Sequence, residues 1–217
     1  MTALAVELYG RGLLATATGE CVHDVSVEYA DGSRSVLPLR RWSRPLVAGD
    51  HSLLSRVEGC TLDIGCGPGR LVAAMTASGV PALGIDICPE AVRLARAAGA
   101  SALRKDVFDR LPGEGCWASA LLADGNIGIG GDPVRLLRRT SRLLRAGGQA
   151  LVELDPPGTP SRQVRVRLHC ADERSRWFGW AHLAVDDVPS VAAAAGLTTG
   201  AVWKAGGRWF AVLVVPS

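Results

Sequence analysis

Between residues 58 and 155, short apolar runs alternate with helix-patterned segments, and this alternation restricts the fold more than any other feature of the chain. CTLDIG, PALGIDI, SALRKDV, WASALLAD and QALVELD read as strands. GRLVAAMTASG, PEAVRLARAAG and DPVRLLRRTSRLLRAGG read as helices between them. Strands that alternate with helices form βα units on a parallel sheet, with helices covering both faces. In the third helix Leu136, Leu137, Thr140, Leu143 and Leu144 recur at helical spacing. The arginines between them read as a solvated face, and Gly147 and Gly148 as the helix stop.

Two segments fall outside this repeat. Residues 1–57 carry a short helix, a hairpin in HDVSVEYADGSRSVLPLRRW turning at Asp31-Gly32, and a further helix in DHSLLSRVEG, and are expected to form a cap. Residues 156–184 open with the breaker PPGTP and continue as two extended runs, VRVRLHC and WFGWAHLAV, a second excursion over the sheet. Residues 185–217 close the chain with a helix in DDVPSVAAAAGL and a strand pair in AVWKAGGRWFAVLVV. The expectation is one domain of 217 residues, with its core at 58–155.

Three glycines, Gly65, Gly67 and Gly69, fall within five positions just after the first core strand. Glycine admits positive φ and close approach to the backbone, so a ligand is expected against this turn. In open α/β sheets such crevices lie beyond the carboxyl ends of the strands. A dinucleotide fingerprint would need a glycine at position 70, where arginine stands. Further acids end the next two strands, Asp86 in GIDICPE and Asp106 in KDVFD. Each of them taken singly also suits a turn or a helix start.

Over residues 58–155 this ordered set resembles the class I S-adenosylmethionine-dependent methyltransferases of small-molecule type. The resemblance implies a Rossmann-like α/β fold, a doubly wound, mostly parallel seven-stranded sheet with an N-terminal cap and an insertion after the fifth core strand. It implies S-adenosylmethionine as cofactor and S-adenosylhomocysteine as product. Asp63, Gly65, Cys66, Gly67 and Gly69 would form the first motif, passing beneath the methionine and ribose. Asp86 would take the ribose hydroxyls, with Ile87 against the adenine. Asp106 would accept from the adenine amino group and Val107 offer its N–H to the ring. Ala123 and Asp124 would supply a carbonyl to the methionine amino group. Asp124 and Asn126 are the candidate acceptor contacts in LLADGNIGIGGDP, whose four glycines are expected to keep space open near the reactive methyl.

The acceptor is expected to be a small molecule. A nucleic-acid methyltransferase and a non-catalytic cofactor-binding scaffold or regulator are the alternatives. A formal charge of +3 is mild for a nucleic-acid binder. Asp155-Pro156-Pro157 ends the fifth core strand, where it reads as a loop punctuator and not as the tetrad of amino-methylating nucleic-acid enzymes. His182 and His169 are candidate bases, and Trp177, Phe178 and Trp180 candidate walls of an acceptor pocket. The cysteines and histidines, Cys21 and His23 among them, show no metal-ligand spacing, so no metal is expected. No apolar run reaches the length of a membrane span, and Glu7 and Arg11 interrupt the amino terminus where a secretory leader would be apolar. The expected location is the cytoplasm, and nothing in the sequence specifies an oligomeric state.

Overall fold

The computed structural model describes residues 1–20 and 24–216, so Cys21 and His23 lie outside the described residues. Its larger sheet has seven strands: β3 (Thr61–Ile64), β4 (Ala82–Asp86), β5 (Ala102–Arg104), β6 (Trp117–Leu122), β7 (Leu144–Leu154), β11 (Thr198–Ala205) and β12 (Arg208–Val214). They run in the order β11-β12-β7-β6-β3-β4-β5. The five from β3 to β7 are mutually parallel, whereas β12 is antiparallel to both β7 and β11. Every residue of β3 is buried, as a central strand covered on both faces requires.

The helices divide between those faces. Leu136, Leu137 and Leu143 of α6 (Pro133–Leu143) and Val188 and Ala192 of α7 (Val188–Ala194) pack with Leu62, Ile64, Ala120 and Leu122. Leu71, Val72 and Met75 of α4 (Arg70–Ala77) and Val92 and Ala95 of α5 (Pro89–Ala97) pack with Leu121, Leu151 and Phe210 on the other side. The period-two alternation of strand side chains produces this division.

Two sequence expectations for α6 need correction. Its start is as read, with Asp132 accepting from the Arg135 N–H and Pro133 in the first turn. It ends at Leu143, however, and Leu144 to Gly148 belong to β7. Leu144 pairs with Trp117 and Gln149 with Ser119, so residues 145–148 bulge out of the ladder. Gly147, at φ 67°, allows that excursion rather than a helix stop. The arginines are not simply a solvated face either. Arg139 donates to the carbonyls of Val107 and Asp109 and pairs with Glu114, which clamps the chain leaving β5.

A second, smaller sheet joins the two segments outside the repeat. The hairpin β1 (Ser26–Tyr29) and β2 (Arg34–Val36) turns at Asp31-Gly32, with the Gly32 N–H donating to the Tyr29 carbonyl. β8 (Arg162–Cys170) pairs antiparallel with β1, placing Ser26 opposite His169. β10 (Phe178–His182) and the short β9 (Glu173–Arg174) both pair with β8. α1 (Ala3–Thr18) is capped by Thr2 and stopped by Gly19 in the left-handed region. Its Ala5, Leu8 and Leu13 pack against Ala91 of α5, Leu168 of β8 and Leu39 of α2 (Leu39–Trp42). α3 (Asp50–Leu54) carries Leu53 into the larger core. Among the described residues no helix is long and apolar enough to cross a membrane.

Candidate functional site

The chain leaves β3 outward through β4 and β5, then crosses back to β6, so strand order switches between β3 and β6. Beyond the carboxyl ends of these strands lies a cavity of about 620 Å³. Its floor is set by the turn after β3. The N–H groups of Gly65 and Cys66 both donate to the Ile85 carbonyl, and Gly65, Gly67 and Gly69 all have positive φ. A side chain at Gly65 would place its Cβ 2.7 Å from Asn126 Nδ2, and one at Gly67 would stand 3.2 Å from the Tyr9 hydroxyl. At Gly69 the obstacle is the Ala95 side chain at 2.6 Å. Conformation favours glycine at all three positions, and at Gly69 space requires it as well.

Asp86 is buried at the end of β4 and accepts from the Gly67 N–H at 3.0 Å and the Cys88 N–H at 2.8 Å. It fastens the glycine turn to the start of α5. Burial raises its carboxyl above the ordinary range, and these N–H donors offset part of that rise. Ile87 and Val107 line the cavity, as does Asp106, which is exposed and accepts from the Phe108 N–H. Phe108 adds an aromatic wall, with the Arg135 guanidinium 4.2 Å over its ring. Asp63 and Cys66 lie beneath the turn. Burial pushes Asp63 up to about 7 against the opposing charge of Arg70, and raises the Cys66 thiol strongly.

Ala123 is buried, and Asp124 follows it at φ 53°, a left-handed conformation that aspartate tolerates. The Asp124 carboxylate faces inward to arginines. It takes Arg70 at 2.5 Å and Arg208 at 3.4 Å, while its N–H donates to Glu153 at 2.5 Å. Asp50, fully buried, accepts from both arginines, and Arg208 also holds Glu153. Burial alone would raise the Asp50 carboxyl, but the Arg70, Val47 N–H and Arg208 donors hold it below its usual value. Asn126 donates to the Ile64 and Gly65 carbonyls, each at 2.9 Å. Both residues predicted to meet an acceptor line the cavity, and their side chains also hold the site's own framework.

Of the four glycines read as open space, Gly125 and Gly130 line the cavity and nothing lies within 4 Å of a Cβ at Gly125, whereas Gly128 and Gly131 are packed against β10. A Cβ at Gly128 would lie 2.4 Å from the Ala181 carbonyl, and one at Gly131 would lie 3.0 Å from Gly179. These glycines let the backbone of β10 press against the turn.

The smaller sheet closes the cavity with alternate residues. Val27 and Tyr29 of β1, Val166 and Leu168 of β8, and Phe178, Trp180 and His182 of β10 line it. His169 is not among the lining residues. It pairs with Glu28, which also takes Arg167 at 2.8 Å, on the opposite face of the sheet. Trp177 is likewise absent from the lining and lies under the Arg167 guanidinium. Asp155 is more than a loop punctuator: it lines the cavity, and its Oδ2 lies 3.1 Å from His182 Nδ1. Sequence reasoning missed Tyr9, Tyr29 and Asp155. Tyr9 of α1, half-buried, stands over the glycine turn, where desolvation of its hydroxyl followed by the charge of Asp86 raises it well above the ordinary range.

Residues 61–148 match the family described as Methyltransferase domain. The fold, a mostly parallel seven-stranded sheet with helices on both faces, is that of the class I S-adenosylmethionine-dependent methyltransferases. No curated protein matches the sequence. Among solved structures, an S-adenosylmethionine-dependent methyltransferase from Bacteroides fragilis, in complex with S-adenosylhomocysteine, is similar at TM-score 0.84 and 21% identity, over 100% of this chain and 98% of that one. The 1,6-didemethyltoxoflavin-N1-methyltransferase of Burkholderia thailandensis, with 1,6-didemethyltoxoflavin and S-adenosylhomocysteine bound, is similar at TM-score 0.55 and 20% identity, over 77% and 75% of the two chains. The sugar N-methyltransferase KedS8 from a Streptoalloteichus species gives 0.58 and 18%, over 77% and 85%.

Proposed function

We propose that this protein transfers the methyl group of S-adenosylmethionine to a small-molecule acceptor held between the two sheets. The observation that carries this reading is the cavity itself. One set of its walls is the glycine turn with Asp86, Asp106 and Val107, and the other is an apolar, aromatic sheet face. The first set suits the cofactor. At Gly65 the turn brings backbone with no side chain of its own to the cavity, so a ligand can approach it there. Asp86, though it accepts two N–H groups, keeps lone pairs for two vicinal hydroxyls. Ile87 and Val107 would hold the adenine, Asp106 its amino group, and the carbonyls of Ala123 and Asp124 the methionine end. When bound, S-adenosylmethionine supplies an electrophilic methyl on a cationic sulfur.

The chain's own contribution is alignment and exclusion of water, which account for much of the rate of a displacement whose leaving group needs no proton. A small acceptor is supported by the apolar, aromatic wall of the cavity. The toxoflavin and sugar methyltransferases of like fold also act on small molecules. Calorimetry with S-adenosylhomocysteine tests the cofactor half, and binding is expected. Asp86→Ala should weaken it by about 1.5–3 kcal/mol, the range for hydrogen bonds to charged groups. An unchanged affinity in a folded variant would show that Asp86 only fastens the turn.

A further inference from the structure

Three polar side chains on the cavity wall have no part in holding a cofactor. Tyr29 comes from β1, His182 from the end of β10, and Asp155 from just beyond β7. His182 Nδ1 lies 3.1 Å from Asp155 Oδ2, and its Nε2 lies 3.3 Å from the Tyr29 hydroxyl. A carboxylate only accepts, so Asp155 takes the Nδ1–H and leaves Nε2 as the acceptor for the Tyr29 O–H. The lone pairs of the Tyr29 oxygen then remain for a donor in the cavity. Main-chain bonds fix this row. The Asp155 N–H donates to the Leu183 carbonyl, and the Val185 N–H donates to that of Asp155. The Tyr29 and His182 rings lie 5.9 Å apart, with the Arg162 guanidinium 5.6 Å over Tyr29.

Resting on the methyl-transfer reading above, we propose that Tyr29, His182 and Asp155 form a proton relay, and that the acceptor is a ring-bearing hydroxyl compound. An amine attacks through a free lone pair and can keep its protons as an ammonium. A hydroxyl is a poor nucleophile until its proton departs, so a base in line with it lowers the barrier. Phe178 and Trp180 on the same wall suit a flat, apolar ring. In the step, the acceptor oxygen bonds to the methyl carbon as the S–C bond breaks with its electron pair left on sulfur. The hydroxyl proton passes to the Tyr29 oxygen and Tyr29's own proton to His182 Nε2. The positive charge that leaves sulfur ends on the imidazolium beside Asp155. Tyr29 touches the acceptor and is the catalytic residue; His182 and Asp155 act through it as positioning residues.

The test uses the full chain and hydroxycoumarins whose hydroxyl acidity is graded by ring fluorination. In the complex with S-adenosylhomocysteine, where no turnover occurs, the phenolate absorbance of the bound coumarin reports proton loss to the relay. A larger phenolate fraction is expected in the wild type than in Tyr29→Phe, His182→Gln or Asp155→Asn. With S-adenosylmethionine, these variants should lose about 10²–10⁴-fold in rate on coumarins that are protonated at the assay pH. On those already ionised the loss should be less than about tenfold. Equal losses across the series, or equal phenolate absorbance in wild type and variants, would overturn the relay. So would a wild type that binds S-adenosylhomocysteine but methylates no coumarin. A wild type that fails to bind S-adenosylhomocysteine would instead remove the methyl-transfer reading itself.

Discussion

Asn126 carries more of the site than its size suggests. Its amide joins the turn after β6 to the end of β3 and the glycine turn, donating to the Ile64 and Gly65 carbonyls. Asn126→Leu would take this donor from both carbonyls and set a branched apolar group against the glycine turn. The expected cost is about 1–3 kcal/mol of stability, with weaker S-adenosylhomocysteine binding as the turn loosens. Chemical denaturation and calorimetry measure both, and a variant with unchanged stability and affinity would refute the anchoring role. The glycine turn was legible in the sequence because positive φ at three nearby positions is a local demand, and Asp86 because it ends an apolar strand. The orientation of the Asn126 and Asp124 side chains was not, since each depends on partners contributed by distant parts of the chain: Asn126 reaches back to β3, and Asp124 is held by Arg70 and Arg208.

At the scale of elements, the five parallel strands β3 to β7 could be read because each βα unit carries its own periodicity. The pairing of β1 with β8 could not, because alternation marks a strand without naming its partner. His182, Tyr29 and Asp155 meet only through that pairing and the packing of β10, so the sequence showed them as unrelated residues. The contact of β10 with the Asn126–Gly131 turn is the weak point of this construction. Gly128→Ala would drive a methyl group to within 2.4 Å of the Ala181 carbonyl and 2.5 Å of the Trp180 indole nitrogen. Either β10 moves or the turn does, at an expected cost of about 1–3 kcal/mol for overpacking. Because β10 carries Trp180 and His182 but none of the residues assigned to the cofactor, turnover should fall much further than S-adenosylhomocysteine affinity. Parallel losses in the two measurements would mean that the turn deforms instead of the strand.

Across the whole molecule, acids and arginines are crowded beneath the strand ends. Asp50, Asp124 and Glu153 share Arg70 and Arg208, and Asp63 lies within the field of this group without the same compensation. Burial is the main reason its carboxyl rises to about 7. Arg70 opposes the rise, and the charges of Asp124, Asp86 and Asp50 add to it. In the unfolded chain the same group releases its proton near about 4. Between those two values the folded state binds more protons than the unfolded state, so this group's contribution to stability declines as pH rises, by up to about 1.4 kcal/mol per pH unit. In Asp63→Asn that contribution is absent at every pH. Any fixed effect of the amide on packing shifts the variant's stability equally across the range and drops out of the comparison. The stability of Asp63→Asn relative to wild type should therefore increase steadily from about pH 4 to about pH 7 and level off above it. Denaturant unfolding of both cofactor-free proteins across that interval measures the difference, and a difference that stays constant with pH would show that Asp63 is ionised in the fold.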